Sequence, residues 1–193
     1  MEQINSKIEE LTRAFIAIEV PDSVIKEVAR TQEILAKQNF IGKMTELENL
    51  HLTLRFLGEI DNEKLERAGQ RLREIKFNFF EAKLSEIGIF NYRGNPRIVW
   101  IKIGGKEVFE LQNKIDDSLA KEGFAKEERF MSHMTIARVK YVKDKKFFLD
   151  YVKNIGIKNI KFDVDKFYLK KSELKESGPI YKDLETFNLE REI

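Results

Sequence analysis

The chain has 193 residues, a length that suits one domain or two closely packed lobes and supports a sizeable core without disulfides or metals. It contains no cysteine, which excludes a disulfide framework, a thiol nucleophile and every cysteine-ligated zinc or iron–sulfur site. The 35 Lys and Arg residues nearly cancel the 33 Asp and Glu residues, so any contact with nucleic acid should be local, in a groove.

The first half of the sequence predicts alternating strands and helices that end in two strands. Alternating or continuous apolar runs predict the strands, and apolar residues spaced by three or four after cap residues predict the helices. In chain order these are a strand at 13–20, a helix from Pro21-Asp22-Ser23, a strand at 50–57, a helix capped by Asp61-Asn62, and strands at 82–90 and 97–103. The turn formers at 91–96 predict a hairpin with a long tip.

The second half repeats this order. After Gly104-Gly105 we expect a helix, a strand at 130–139, a helix at 145–154, and strands at 160–169 and 184–189, the last two joined by a loop at 172–181. This order predicts an α+β protein, a single bilobal domain over residues 1–193 whose two lobes are related by a pseudo-twofold axis. Each lobe would be an antiparallel sheet with helices on its outer face, and the active site would lie in the central cleft.

The only two histidines of the chain open the same tetrapeptide pattern, His51-Leu52-Thr53-Leu54 and His133-Met134-Thr135-Ile136. Side chains alternate along a strand, so the histidine and threonine of each motif should share one face. The apolar residues of the first motif, together with Phe56, should point into the core. If the lobes are related by a twofold axis, two imidazoles and two hydroxyls meet around one small volume.

Such a cluster suits phosphoryl transfer, which needs a base for the nucleophile and an acid for the leaving oxygen. Two imidazoles with an ordinary pKa near 6.5 can fill both roles near neutral pH. The threonine hydroxyls can donate to the non-bridging phosphate oxygens, and no metal is required.

Two plainer interpretations stand beside this one. Either motif alone is typical of a structural histidine followed by a threonine that favours a strand. Two copies that hold every histidine of the chain favour function instead. A shared metal site is the other alternative, although two histidines without a carboxylate partner make a poor zinc site.

Several segments of the chain resemble the 2H phosphoesterase superfamily and, within it, the RNA 2′,3′-cyclic phosphodiesterases, also called 2′-5′ RNA ligases. The matching segments are 13–18, 50–58, 96–100, 133–138 and 172–181. Only residues 1–12 lack a counterpart and form an N-terminal extension.

The resemblance implies hydrolysis of terminal 2′,3′-cyclic phosphates on RNA to 2′-phosphates without a cofactor. It assigns the base to His133, the acid to His51, and the phosphate oxygens to Thr53 and Thr135. Arg138 is similar to the family's phosphate-contacting arginine. Strict alternation would place Arg138 opposite His133, so it reaches the cleft only if the strand bends, bulges or ends there.

Further candidates flank the motifs. Arg55 alternates onto the predicted His51 face and is a substrate-binding candidate in its own right, or else a solvated charge at the rim. Tyr181 follows a Gly-Pro turn in a matching segment and either lines the cleft or locks the turn. Tyr92, Arg93 and Arg97 flank the predicted hairpin tip, where they could contact a nucleobase or a phosphate.

The expected partners are RNA with 2′,3′-cyclic phosphate ends, tRNA fragments among them, or small cyclic nucleotides. We expect a cytoplasmic monomer without a membrane partner, because no segment approaches the roughly 18 apolar residues of a membrane span. Reversible 2′-5′ RNA ligation uses the same atoms and stays open as an alternative. So does a noncatalytic nucleotide- or RNA-binding module of the same fold.

Overall fold

A computed structural model describes residues 11–176 and 178–191 of the chain. Within these ranges the chain forms four α-helices, nine strands and one short 3-10 helix at Leu47–Asn49. The elements are β1 Thr12–Glu19, α1 Asp22–Ala36, β2 Phe40–Met44, β3 His51–Ile60, α2 Asn62–Arg73, β4 Phe80–Tyr92, β5 Asn95–Gly104, α3 Lys106–Ala120, β6 His133–Val142, α4 Lys145–Lys153, β7 Lys161–Val164, β8 Lys166–Lys175 and β9 Gly178–Asn188.

Two antiparallel sheets form the two lobes, which confirms the predicted α+β fold class. The four-stranded sheet has the order β3-β1-β8-β9, and the five-stranded sheet has the order β2-β6-β5-β4-β7. Each sheet therefore contains one histidine strand, and β3 and β6 contact each other where the sheets meet. Of the predicted N-terminal extension, residues 1–10 lie outside the described residues, and Thr12 pairs with Ile60 at the start of β1.

The helices bury the apolar stripes that the sequence predicted. Helix α1 buries Val24, Val28 and Leu35, and the side chain of Asp61 caps α2 by accepting a hydrogen bond from the Lys64 amide at 2.7 Å. Helices α1 and α4 pack on the five-stranded sheet, α2 packs on the four-stranded sheet, and α3 contacts strands of both. No helix among the described residues is long and apolar enough to cross a membrane.

Three predicted elements differ in the structure. The hairpin tip is short, because Arg93 and Gly94 both adopt positive φ and Tyr92 already pairs with Asn95 in a tight two-residue turn. The predicted strand 160–169 is two strands, β7 and β8, which belong to different sheets. The predicted loop 172–181 is largely strand, since β8 and β9 pair out to Lys175 and Gly178 as a polar ribbon. Strand β2 was not predicted.

Both histidine strands contain a β-bulge at the same position. In β3, Thr53 pairs with Ala17 and Arg55 pairs with Ile16, so Leu54 has no partner on β1. In β6, Ile136 is likewise the extra residue, because Thr135 and Ala137 pair with the adjacent residues Trp100 and Val99 of β5. The two strands show the same sequence of buried and exposed positions along all ten residues. A bulge moves every later side chain to the other face of its strand.

The bulge in β6 has fixed hydrogen-bond partners. The carbonyl oxygen of Ile136 accepts hydrogen bonds from the Thr45 amide and from Nε2 of Gln32 on α1, both at 2.9 Å. Gln32 also donates to the Thr45 carbonyl at 2.8 Å. Helix α1 therefore holds the irregular part of the second histidine strand in place.

The bulges correct two predictions for the first motif. Phe56 is not in the core but lies on the histidine face, with its side chain 63% exposed. Arg55 is not on the histidine face but is buried on the opposite side. The expectation for Arg138 required a bend or bulge, and the bulge at Ile136 supplies it.

Arg55 ties β3 to the segment that leads into β6. Its Nε lies 3.3 Å from Oδ1 of the buried Asp116 on α3, and its Nη1 lies 3.1 Å from Oε2 of Glu127. It also donates to the carbonyl of Ala125, and Asp116 accepts a hydrogen bond from the Glu127 amide at 2.8 Å. These contacts make Arg55 a structural residue and not a substrate contact.

Replacing Arg55 by Met should lower the free energy of unfolding by about 3–5 kcal/mol, because it leaves the Asp116 carboxylate buried without its cation. Thermal or urea unfolding measures the loss. Arg73→Met, which removes an exposed arginine paired with Glu185, is the matched control and should cost much less. Equal losses in the two variants would contradict the assignment.

Candidate active site

A cavity of about 1050 Å³ opens between the two sheets, and both sequence motifs line it. Six of the seven predicted site residues are among its lining residues: His51, Thr53, His133, Thr135, Arg138 and Tyr181. Arg55 is the exception, as its burial against Asp116 requires. Phe56 lines the cavity although the sequence placed it in the core.

Each histidine is oriented by a backbone carbonyl two residues before it. Nδ1 of His51 lies 2.8 Å from the Asn49 oxygen, and Nδ1 of His133 lies 2.8 Å from the Met131 oxygen. A carbonyl oxygen only accepts, so Nδ1 of each ring carries a proton and donates. In the neutral rings the lone pair is then on Nε2, the atom left for proton transfer.

The hydroxyl of Thr53 lies beside the lone pair of its own histidine. Its Oγ1 is 3.0 Å from Nε2 of His51, and it donates to that nitrogen when the ring is neutral. Thr135 occupies the corresponding place next to His133 on β6, and both threonines line the cavity. Two Nε2 atoms and two hydroxyls therefore share one cleft.

Aromatic rings pack against both imidazoles. The rings of Phe15 and Tyr181 lie 5.0 Å and 5.1 Å from the His51 ring, Tyr181 edge-on, and Phe90 lies 4.9 Å from His133, also edge-on. These contacts shield one side of each imidazole from water, and both histidines still line the cavity. The sequence analysis did not identify Phe15 or Phe90, because a phenylalanine within an apolar strand is typical of a core residue.

Burial lowers the pKa of His51 to about 4. The hydrogen bond to the Asn49 carbonyl and the negative charge of Glu19 raise the pKa of His51, whereas the positive charges of Lys170 and His133 lower it further. In the protein without a ligand, His51 is therefore neutral at pH 7.

Lys170 on β8 is a buried cation near His51 that the sequence analysis did not identify. It forms ion pairs with Glu19 at 2.5 Å and with Asp183. Burial favours its neutral form, but the bonds to Asp183 and Glu19 outweigh this and raise the pKa of Lys170. Glu19 pairs with His51 in the β1–β3 ladder, so this charged group adjoins the strand that carries His51.

Charge is divided unequally around the cleft. On the side of the five-stranded sheet, Arg138 forms no ion pair with any described residue and pairs in register with Lys43. On the side of the four-stranded sheet, the carboxylates of Glu59 and Glu176 line the cavity together with Arg13. The Arg138 side therefore suits an anion. The described residues contain no group of three or more metal-ligating side chains.

Comparison with known proteins identifies a family. The LigT like Phosphoesterase family matches residues 18–100 and 103–181. An RNA 2′,3′-cyclic phosphodiesterase of Archaeoglobus fulgidus is 37% identical over 91% of this chain and 99% of its own length.

Solved structures show the same fold. TT0787 of Thermus thermophilus is 26% identical with a TM-score of 0.81, covering 94% of this chain and all of its own. E. coli LigT in complex with 3′-AMP is 25% identical with a TM-score of 0.73, covering 93% of this chain and 99% of its own. The similarity thus extends through both lobes and both motifs.

A titration of His51 followed by NMR should give a midpoint near pH 4 in the protein without ligand. In Lys170→Met the midpoint should rise, because a nearby positive charge is removed and two carboxylates lose their cation. Lys182→Met, which removes an exposed lysine, is the matched control and should leave the midpoint unchanged. A midpoint near the ordinary 6.5 in the wild type would contradict the buried environment of His51.

The same shift predicts how stability depends on pH. Between about pH 6.5 and 4 the unfolded chain protonates His51 while the folded chain does not, so the free energy of unfolding should fall as the pH drops through this window. Urea unfolding at a series of pH values measures the slope. His51→Gln should have a shallower slope in that window, and an unchanged slope would contradict the account.

Proposed function

The chain belongs to the LigT-like phosphoesterase family, and we propose that it hydrolyses 2′,3′-cyclic phosphate ends of RNA to 2′-phosphomonoesters without a metal ion. The observation that carries the proposal is the pair of histidines in one cavity, each with Nδ1 held by a carbonyl. The activity for which the Archaeoglobus fulgidus relative is named supports the substrate, and the 3′-AMP bound to E. coli LigT supports a nucleotide in this cleft.

The two imidazoles supply both proton transfers of this reaction. Nε2 of the base takes a proton from water as the water oxygen bonds to phosphorus. The bond from phosphorus to O3′ breaks on the opposite side, and Nε2–H of the acid gives its proton to O3′. The product carries a 2′-phosphate and a 3′-hydroxyl, and each histidine ends in the protonation state in which the other began.

The family resemblance assigns the base to His133 and the acid to His51, and we adopt this order. An acid must begin protonated, while burial keeps His51 neutral near pH 7 without a ligand. A bound phosphodiester brings a negative charge beside the ring, and an adjacent opposite charge raises the pKa of an imidazole. Substrate binding thus prepares the acid.

The remaining cavity residues stabilise charge on the phosphate. The hydroxyls of Thr53 and Thr135 donate to its non-bridging oxygens, and the guanidinium of Arg138 faces the same cavity. Because Arg138 has no ion pair among the described residues, its charge is available to the substrate. Tyr181 packs on His51 and Phe15 and so shapes the wall near the acid.

The direct test incubates the protein, in EDTA, with an RNA oligonucleotide that ends in a 2′,3′-cyclic phosphate and determines the position of the product phosphate. We expect a 2′-phosphate, and a loss of roughly 10²–10⁴-fold in kcat for His51→Ala and for His133→Ala, because each removes one proton-transfer group. Circular dichroism establishes that the variants are folded. Nucleotide binding without turnover by the wild type would contradict hydrolysis and favour a binding module.

A substrate with sulfur in place of the bridging O3′ separates the acid from the base. A thiolate leaves without a proton, so this substrate needs a base but hardly an acid. On the sulfur substrate, kcat of His51→Ala should therefore approach that of the wild type. His133→Ala should keep its loss of kcat on this substrate. Recovery by His133→Ala alone would reverse the two roles.

A further inference from the structure

The face of the five-stranded sheet that lines the cavity continues beyond it. At the cavity edge, strand pairing aligns Lys43, Arg138, Ile98 and Phe90 in one row across β2, β6, β5 and β4. The first three line the cavity, and the fourth packs on His133. Adjacent strands are about 4.8 Å apart, so this row forms a continuous floor.

Beyond this row, one pair on β2 and β6 and one pair on β4 and β5 carry three exposed apolar side chains. Ile41 pairs with Tyr141, and Tyr92 pairs with Asn95 at the hairpin turn. Ile41, Tyr141 and Tyr92 are 61%, 57% and 59% exposed. We call Ile41, Tyr141, Asn95 and Tyr92 the outer row.

The outer row lies on the same face as the cavity. Ile41 is two residues from Lys43, and Tyr92 is two residues from Phe90, so alternation returns each to that face. In β6, Val139 pairs with Gly42 and Tyr141 pairs with Ile41, so Lys140 is an extra residue and Tyr141 returns to the Arg138 face.

Phe40 precedes Ile41 on β2, and its side chain lies on the opposite face of the sheet. It packs there on Phe148 of α4. Two residues along a strand span about 7 Å, the spacing along the strand from Lys43 to Ile41 and from Phe90 to Tyr92.

Positive charge surrounds the outer row. The guanidinium of Arg93 lies over the ring of Tyr92, 5.2 Å from its centroid. Arg97 donates to the carbonyl of Lys140 at 2.9 Å, which places its guanidinium and the Lys140 side chain at the same end of the sheet. The facing rim of the cavity carries the carboxylates of Glu59 and Glu176 together with Arg13. A polyanion that leaves the cavity along the five-stranded sheet therefore meets cationic side chains at this end of the sheet.

We propose that the outer row binds the nucleotides on the 5′ side of the terminal cyclic phosphate, with Tyr92 and Tyr141 as stacking platforms for unpaired bases. This rests on the proposed function, which places the cyclic phosphate between the two histidines. Exposed aromatic rings beside arginine and lysine are what single-stranded RNA uses for binding without strict sequence preference. The ligand is thus a single-stranded RNA end, and the bases of its second and third nucleotides stack on the exposed rings.

The test compares a nucleoside 2′,3′-cyclic phosphate with a pentanucleotide that ends in the same group. In the variant Tyr92→Ala/Tyr141→Ala, KM for the pentanucleotide should rise by roughly tenfold or more, while KM for the mononucleotide stays within about twofold of the wild type. Phe147→Ala removes a 59% exposed ring of α4, outside the outer row, and is the matched control. It should leave both values unchanged.

Binding of a pentanucleotide that ends in a 2′-phosphate, measured by fluorescence anisotropy, tests the surface without turnover. The double variant should bind it roughly tenfold or more weakly, and Tyr92→Phe/Tyr141→Phe should restore the wild-type Kd, since a phenyl ring also stacks. Equal effects on mononucleotide and pentanucleotide, or wild-type binding by the double variant, would overturn the inference while leaving hydrolysis intact. Tight pentanucleotide binding without turnover would overturn the proposed function and leave this surface supported.

Discussion

One unpaired residue after the His-x-Thr motif, Leu54 in β3 and Ile136 in β6, determines which side chains reach the cleft. Without these bulges, strict alternation would turn Arg138 away from His133 and would leave the cavity without that cation. The same irregularity places Phe56 at the cavity and buries Arg55. The fold accommodates the bulge in β6 through Gln32 and the Thr45 amide, which both donate to the Ile136 carbonyl. Strand pairing therefore determines which side chains line the candidate active site.

The electrostatics of the cleft oppose a charged imidazole until an anion arrives. Burial and the charge of Lys170 disfavour protonation of His51, and the Nδ1 hydrogen bond and the charge of Glu19 only partly offset them. A bound phosphodiester would raise the pKa of His51, because it brings a negative charge next to the buried ring. Lys170 keeps its charge through its ion pairs with Glu19 and Asp183, and this charge lowers the pKa of His51.

The sequence predicted those parts of the molecule that follow local rules. The helix stripes, the Asp61 cap and the strands that carry His51 and His133 follow from periodicity and turn chemistry. The predictions from sequence were wrong where pairing between distant segments determines the structure. Arg55 and Phe56 exchanged faces because a bulge depends on the partner strand. The polar ribbon of β8 and β9 looked like a loop, since its strand structure comes from backbone pairing and charged cross-strand contacts rather than from an apolar pattern. Lys170 gave no signal, because its carboxylate partners are distant in sequence.

The proposed hydrolysis requires both histidines and Arg138 to act on one phosphate. A crystal structure with a nucleoside 2′-phosphate, the product of the proposed reaction, tests it most directly. The account predicts the phosphate between the two Nε2 atoms, within hydrogen-bond distance of both, with the Arg138 guanidinium and the threonine hydroxyls on its remaining oxygens. A phosphate bound by one histidine alone, or outside the cavity between the sheets, would contradict it.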